Sequence, residues 1–535
     1  MQPFDRLPGV RHAMIPLLLL AVAAVPSARA ADSPLKIDTG KIQGTRAGDD
    51  VRVYKGIPYA APPVGKRRWQ PPERPESWQG VRQCTEFSPV CPQMPYPEDS
   101  IYAAPPQPQS EDCLYLNVWT PAENADARLP VMVWIHGGAL TRGSGSRELY
   151  DGTRLARRGV VLVTINYRLG PFGFLAHPAL SEESSHDSSG NYGILDQIAA
   201  LEWVQRNIAA FGGDPDRVTI FGESAGSWSV CALVATPLAK GLFHRAIGQS
   251  GGCFSPMHEL SQERYGFPAA EELGQRLTKH LECDSADDPL AAMREKSPEE
   301  ILAAVDKDAS LSRARANVDG WVFPEQIFNI YAEGKQNRVA AIVGSNADEG
   351  TAFVSSSLPN STSLFEALAE RKFGDLADRA LEVYPVTSDS DVRDALLHSM
   401  RDEIFTWEMR TWARMMRKAD LPAYLYYFTR VPPRPESDKL GAYHAAEIVY
   451  VFDNLHLLPW ESDETDAALA DAMASAWVRF AASGDPNGGS LPTWKVYDIE
   501  AAPHLVFGDQ VEPGHHLLEA ECDFFDEYFA GKRSE

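Results

Sequence analysis

Gly222-Glu223-Ser224-Ala225-Gly226 has the form G-x-S-x-G and stands between an apolar, β-branched run, residues 218–221, and a helical run, residues 227–234. A serine hydroxyl becomes a usable nucleophile when a sharp strand-to-helix turn projects it from the chain. Glycines two residues to either side let strand and helix approach closely enough to make that turn. The chemistry implied is acyl transfer, which needs N–H donors for a developing oxyanion, a base for the serine proton and an acid to orient the base. His136-Gly137-Gly138-Ala139 is a turn of small residues able to present backbone amides. Asn346-Ala347-Asp348-Glu349-Gly350 supplies two carboxylates, and the stretch from Gly441 to Glu447 supplies His444. Spacing alone does not choose between Asp348 and Glu349. Nor does it choose His444 over His398, His456, His504, His515 and His516, which also follow the serine.

Each of the first three groups follows a short apolar run: 130–135 before the small-residue turn, 218–221 before the serine, 340–343 before the carboxylates. A fourth run covers 159–165. Continuous β-branched runs bounded by glycine or polar turns read as strands buried on both faces of a mainly parallel sheet. Between two of them, residues 191–211 carry Ile194, Ile198, Leu201 and Ile208 at roughly helical spacing, with Asn191 placed to cap the start and Gly212-Gly213 to end the helix. Strand, helix, strand in this order is an α/β pattern. The proline-rich stretch from Cys91 to Cys113 reads as a surface loop, and residues 261–420 as a helix-rich insertion over the sheet.

The chain has 535 residues, 74 acidic and 50 basic, for a formal charge of −24. That balance lacks the basic footprint that nucleic acid requires. Residues 1–30 read as a secretory leader: Arg6 and Arg11, then an apolar run from Ala13 to Val25 too short to span a bilayer, then Ala28-Arg29-Ala30 as the cleavage site. The expected product is secreted or periplasmic, with no stable membrane insertion. Seven cysteines remain after residue 30 (Cys84, Cys91, Cys113, Cys231, Cys253, Cys283 and Cys522), none in a zinc spacing, and Cys231 reads as a core residue. No metal or other cofactor is expected.

Phe211-Gly-Gly-Asp-Pro-Asp-Arg-Val-Thr-Ile-Phe-Gly-Glu-Ser-Ala-Gly226 resembles the serine signature of the type-B carboxylesterases, the cholinesterase-like family. Glu111-Asp-Cys-Leu-Tyr-Leu-Asn-Val-Trp119 resembles that family's second signature. Lys55-Gly-Ile-Pro-Tyr-Ala-Ala-Pro-Pro63, Asn166-Tyr-Arg-Leu-Gly170 and Gln249-Ser-Gly251 extend the likeness, which runs from about Val53 to Cys522. It implies an α/β-hydrolase fold: one domain over residues 31–535, with a large, mostly parallel central sheet and helical insertions. It also implies Ser224 as nucleophile, Glu349 as the acid and His444 as the base. Gly138, Ala139 and Ala225 match the oxyanion donors, with Ala139 where a third glycine is commoner. Glu223, Ser250 and Glu447 match supporting positions. The implied substrate is a small-molecule ester. Lipases and non-catalytic binding proteins on the same fold are the alternatives.

The resemblance also implies a Cys91–Cys113 disulfide. Cys283 matches one end of a second bridge whose other end falls at Ala292, so Cys253–Cys283 is the substitute pairing. The Cys91–Cys113 loop holds Tyr96 and Tyr102 but no tryptophan, where cholinesterase-like members bind a quaternary ammonium by cation–π contact. Residues 310–317 approximate the family's acyl-pocket segment. Arg142, Phe254, Arg313 and Arg315 are the candidate pocket residues, and the arginines there suit an ester bearing a carboxylate on its acid side.

Overall fold

The apolar runs form the middle of a sheet with eleven strands among the described residues, which in this computed structural model are 33–312, 315–353 and 361–534. The expected leader and Arg313 lie outside the described residues. In chain order the strands are β1 (Thr45–Ala47), β2 (Val51–Pro58), β3 (Tyr115–Thr120), β4 (Leu129–Ile135), β5 (Val161–Ile165) and β6 (Gly213–Glu223). They continue as β7 (Arg245–Gln249), β8 (Ala340–Asn346), β9 (Ala423–Phe428), β10 (Pro503–Phe507) and β11 (Val511–His515). Across the sheet the order is β11-β10-β9-β8-β7-β6-β4-β5-β3-β2-β1. From β10 through β5 every neighbour pair is parallel; β11 on one edge and β3, β2 and β1 on the other are antiparallel. Pro34–Glu535 forms one compact unit.

Both faces of the sheet are covered, which is why its strands are apolar without alternation. Along β4, Val131, Val133 and Ile135 enter one core and Met132 and Trp134 the other. Helix α1 (Tyr192–Asn207) and helix α2 (Ala225–Ala235) fill the first core with Ile194, Leu201, Val230 and Leu233. Helix α3 (Glu464–Ser483) fills the second with Met473, Trp477 and Phe480. The insertion is helical as expected, with Ala270–His280, Thr362–Phe373, Val392–Arg401 and Trp407–Lys418 among its elements.

Several expectations need correction. Asn191 precedes α1, but its side chain makes no cap; it exchanges hydrogen bonds with the Asn317 backbone instead, tying the helix to the insertion. The seven cysteines are buried free thiols. Cys91 and Cys113 lie side by side, as the expected bridge requires. Cys253 has Cys231 as its thiol neighbour rather than Cys283, because the chain after β7 turns back onto α2. The loop 91–113 is also more than surface: Tyr96, Pro97, Ser100, Ile101 and Tyr102 form one wall of a deep cavity. Among the described residues no helix is long and apolar enough to cross a membrane.

The β6–α2 turn is the tightest point of the fold. A Cβ on Gly226 would stand 2.0 Å from the Ile135 carbonyl oxygen, and one on Gly222 would stand 2.6 Å from the same oxygen and from the Gly226 carbonyl carbon. Backbone atoms of adjacent elements cannot give way, so Gly226→Ala is expected to cost about 3 kcal/mol or more. Gly531→Ala, where an added Cβ meets nothing within 4 Å, should be neutral or stabilising. Urea unfolding of the two variants checks this; equal midpoints would contradict the close approach.

Candidate active site

Parallel strands end on the same edge of a sheet, so the turns after β4, β6 and β8 converge. After β6, Ser224 sits at φ 57°, ψ −124°, with its N–H donating to the Gln249 carbonyl at 2.8 Å and its carbonyl accepting from Trp228 N–H. After β4, the turn 137–142 closes through hydrogen bonds from Thr141 N–H and Arg142 N–H to the Gly138 carbonyl. A Cβ on Gly137 would stand 3.0 Å from Ser224 Cβ, so this turn lies directly against the serine. Ala139 has φ 55° and Leu140 φ 59°, a left-handed conformation that costs an alanine backbone strain. The N–H groups of Gly138, Ala139 and Ala225 donate to no partner among the described residues.

After β8 the two adjacent carboxylates have different tasks. Asp348 accepts from Ala442 N–H at 2.7 Å and, through its own N–H, donates to the Ala442 carbonyl, which fixes the loop carrying His444. Glu349 is fully buried. Its Oε1 accepts from Asn346 N–H at 2.7 Å, and its Oε2 accepts from His444 Nδ1 at 2.5 Å. That bond leaves Nε2 as the working nitrogen of the ring. Nε2 stands 3.0 Å from Glu223 Oε1, yet that oxygen has no aligned hydrogen-bond donor, so the ring is not committed to Glu223. Among the described residues no hydrogen bond joins Ser224 Oγ to His444; in empty sites such contacts tighten only when substrate arrives.

A second layer holds these groups. Glu447 is buried and accepts from Gln249 Nε2 at 2.9 Å and Asn346 Nδ2 at 2.7 Å, and Trp477 Nε1 donates to Gln249 Oε1. The Tyr102 hydroxyl donates to the His444 carbonyl at 2.9 Å, and the rings of Phe353 and Phe405 pack on the imidazole. Ser250 is buried with φ 57° and an unpartnered hydroxyl. Phe353 and Phe405 were not singled out by sequence, and Asn346 and Gln249 entered only as the first residues of longer motifs. Asn346 and Gln249 close the strands that precede Glu349 and Ser250, a position with no local signature of its own.

The electrostatics follow from burying three carboxylates around one imidazole. Burial alone would lower the pKa of His444, but the charges of Glu223 and Glu349 outweigh it and hold the imidazole well above its ordinary value. Burial raises Glu223. Burial, aided by the charges of Glu223 and Glu349, pushes Glu447 up to about 7. Just before the 137–142 turn, burial pushes His136 down to about 4, so it is neutral there at pH 7.

The sequence profile of the Carboxylesterase family matches residues 31–525. The chain belongs to that family. It is 38% identical over 519 residues to "Fumonisin B1 esterase" of Sphingopyxis macrogoltabida, covering 93% of this chain and 91% of that protein. It is 38% identical over 483 residues to "Para-nitrobenzyl esterase" of Bacillus subtilis (strain 168), covering 88% and 94% respectively. Among solved structures, a carboxylesterase of Geobacillus stearothermophilus superposes with a TM-score of 0.79 at 35% identity, covering 92% of this chain and 99% of that one. The α/β-hydrolase fold and a carboxylic ester hydrolase activity follow from this membership.

In this carboxylesterase two cavities meet at Ser224. The larger, about 530 Å³, is lined by Gly138, Ala139, Arg142, Arg147, Glu223 and His444, together with tyrosines and Phe353. The smaller, about 300 Å³, is lined by Ala139, Ala225, Trp228, Ser250, Arg315 and Phe405. Arg142 and Arg315 therefore both face the carboxylesterase site, in different cavities. Phe254 does not: it is fully buried, with its ring edge-on to Tyr331 at 5.1 Å, because Glu408 draws the Phe254 and Ser255 N–H groups into the core. Arg147, which sequence did not single out, lines the larger cavity five residues beyond Arg142.

Removing the charge of Glu223 removes one cause of the raised His444 pKa. A base must be neutral to accept a proton, so ester hydrolysis is expected to rise with pH as His444 deprotonates. Glu223→Gln should move that limb of the kcat/KM profile to lower pH. A limb that stays put or moves up would show that Glu223 does not act on His444 through its charge.

Proposed function

We propose that the protein is an exported serine carboxylesterase working through Ser224, His444 and Glu349 by way of an acyl-enzyme. The observation that carries the reading is the buried 2.5 Å bond from His444 Nδ1 to Glu349, set beside a serine on a strained turn and three unengaged N–H groups. Ser224 Oγ attacks the ester carbonyl carbon and His444 Nε2 takes its proton. Glu349 holds the tautomer and stabilises the imidazolium. The carbonyl oxygen becomes an oxyanion facing the N–H groups of Gly138, Ala139 and Ala225, each donor of this kind supplying about 3 kcal/mol in the transition state. The tetrahedral adduct collapses, the carbon–oxygen bond to the alcohol breaks, and Nε2 returns the proton to the departing alcohol. Water then attacks the acyl-enzyme by the same route, releasing the acid and restoring Ser224.

Glu223 in this scheme favours the imidazolium that forms as the serine loses its proton, while Glu447 holds the Asn346 and Gln249 side chains. The Gln249 carbonyl, which accepts from Ser224 N–H, keeps the turn after β7 close to the serine. Export rests on the leader-like residues 1–30, and the adjoining Cys91 and Cys113 thiols suit oxidation outside the cytosol. The name of one relative, "Para-nitrobenzyl esterase", makes para-nitrobenzyl esters natural probes, with para-nitrophenyl esters as chromogenic companions.

Ser224→Ala is expected to lower kcat for para-nitrophenyl acetate by at least about 10⁴-fold while leaving the circular dichroism spectrum and unfolding midpoint unchanged. Undiminished turnover in that variant would remove Ser224 as the nucleophile.

A further inference from the structure

The larger cavity contains His444 and the smaller does not. Because His444 must hand its proton to the departing alcohol, the alcohol part of the ester belongs in the larger cavity and the acyl part in the smaller. That assignment rests on the proposed mechanism, and it gives a meaning to the charges that line the larger cavity.

Arg142 and Arg147 both approach the ring of Tyr96, with guanidinium carbons 5.1 and 5.8 Å from its centroid. Neither has a carboxylate within ion-pair distance among the described residues, whereas Arg68, Arg158, Arg168, Arg410 and Arg430 do. Arg142 Nε is buried without a hydrogen-bond partner. Outside the pair, Arg147 donates to the Tyr102 carbonyl and also lies near the Tyr150 hydroxyl. Two like charges held over one ring repel each other unless an anion joins them. The chain elsewhere is strongly acidic, so partners for them were not scarce.

Arg142 is also held in place. Its N–H donates to the Gly138 carbonyl, making it part of the oxyanion turn. The next residue is clamped by Gln93, whose Oε1 accepts from Gly143 N–H and whose Nε2 donates to the Gly143 carbonyl. The backbone carrying Arg142 is therefore rigid, so binding has only the side chain left to order. The carboxylate lining the same cavity, Glu223, faces His444 at 3.0 Å and feels the charge of Arg147 without pairing with it at ion-pair distance.

We propose that the larger cavity selects esters whose alcohol part carries an anionic group, a carboxylate or a phosphate, bound by Arg142 and Arg147 over Tyr96. This moves the acidic group from the acid side, suggested by sequence, to the alcohol side. It also gives the cavity the opposite preference from one built for a quaternary ammonium alcohol.

The test compares para-acetoxyphenylacetate with the neutral para-acetoxyphenylacetamide, whose phenols leave with nearly the same ease. The wild-type enzyme should favour the anion in kcat/KM by about tenfold, the scale of one charge-assisted contact. That ratio should fall towards one in Arg142→Gln and be partly kept in Arg142→Lys, which holds the charge without the fork. A wild-type ratio at or below one, or a ratio unchanged by Arg142→Gln, would overturn the proposal. So would an anionic preference confined to the acid side, read as para-nitrophenyl glutarate against para-nitrophenyl valerate. Turnover of the acetamide without preference leaves the esterase mechanism standing, whereas no Ser224-dependent turnover of either ester would remove the mechanism and the proposal together.

Discussion

The structure depends on holding one serine in a conformation that serine disfavours. At φ 57°, ψ −124° Ser224 occupies backbone space used almost only by glycine, at a cost of about 1–3 kcal/mol. The surroundings over-determine it. The parallel register sets Gly222 of β6 opposite Ile135 of β4 and Gly248 of β7. The Gly226 backbone packs on the Ile135 carbonyl, and a Cβ on Gly251 would stand 2.3 Å from the Ser224 carbonyl oxygen. The same contacts that force the turn bring the 137–142 turn and the β7 turn to the serine, so the strain and the assembly of the site have one cause.

A second constraint is the burial of Glu223, Glu349 and Glu447 around His444. Buried charges are costly unless paired and hydrogen-bonded, and removing one partner usually costs more than the pair contributes. The protein meets this with donors for two of the acids, Asn346 N–H and the imidazole for Glu349 and the Gln249 and Asn346 side chains for Glu447, while Glu223 faces the imidazole through charge. The β-strand ends supply most of these donors, so the electrostatics of His444 depend on the same sheet edge that positions Ser224.

Much of this was legible in sequence because it is local. The central strands read as apolar runs and the elbow as glycines around a serine, both set within a few residues. The choice of Glu349 over Asp348 was not local: it is decided by the loop 441–447, which lies about a hundred residues downstream and gives one carboxylate an imidazole and the other a backbone N–H. Asn191 read as a cap because it precedes a helix, but a distant strand, Asn317–Val318, claims its side chain. Phe254 and Cys253 misled for a similar reason, since the buried Glu408 and helix α2 determine where that segment goes. The loop 91–113 read as surface from its prolines, yet its tyrosines face inward.

The most direct measurement is phosphonylation by a fluorophosphonate followed by peptide mapping. The mechanism predicts one stable adduct per chain, on the peptide containing Ser224, formed faster as pH rises through the titration of His444. Labelling of any other residue in place of Ser224, or no labelling of an active enzyme, would contradict it.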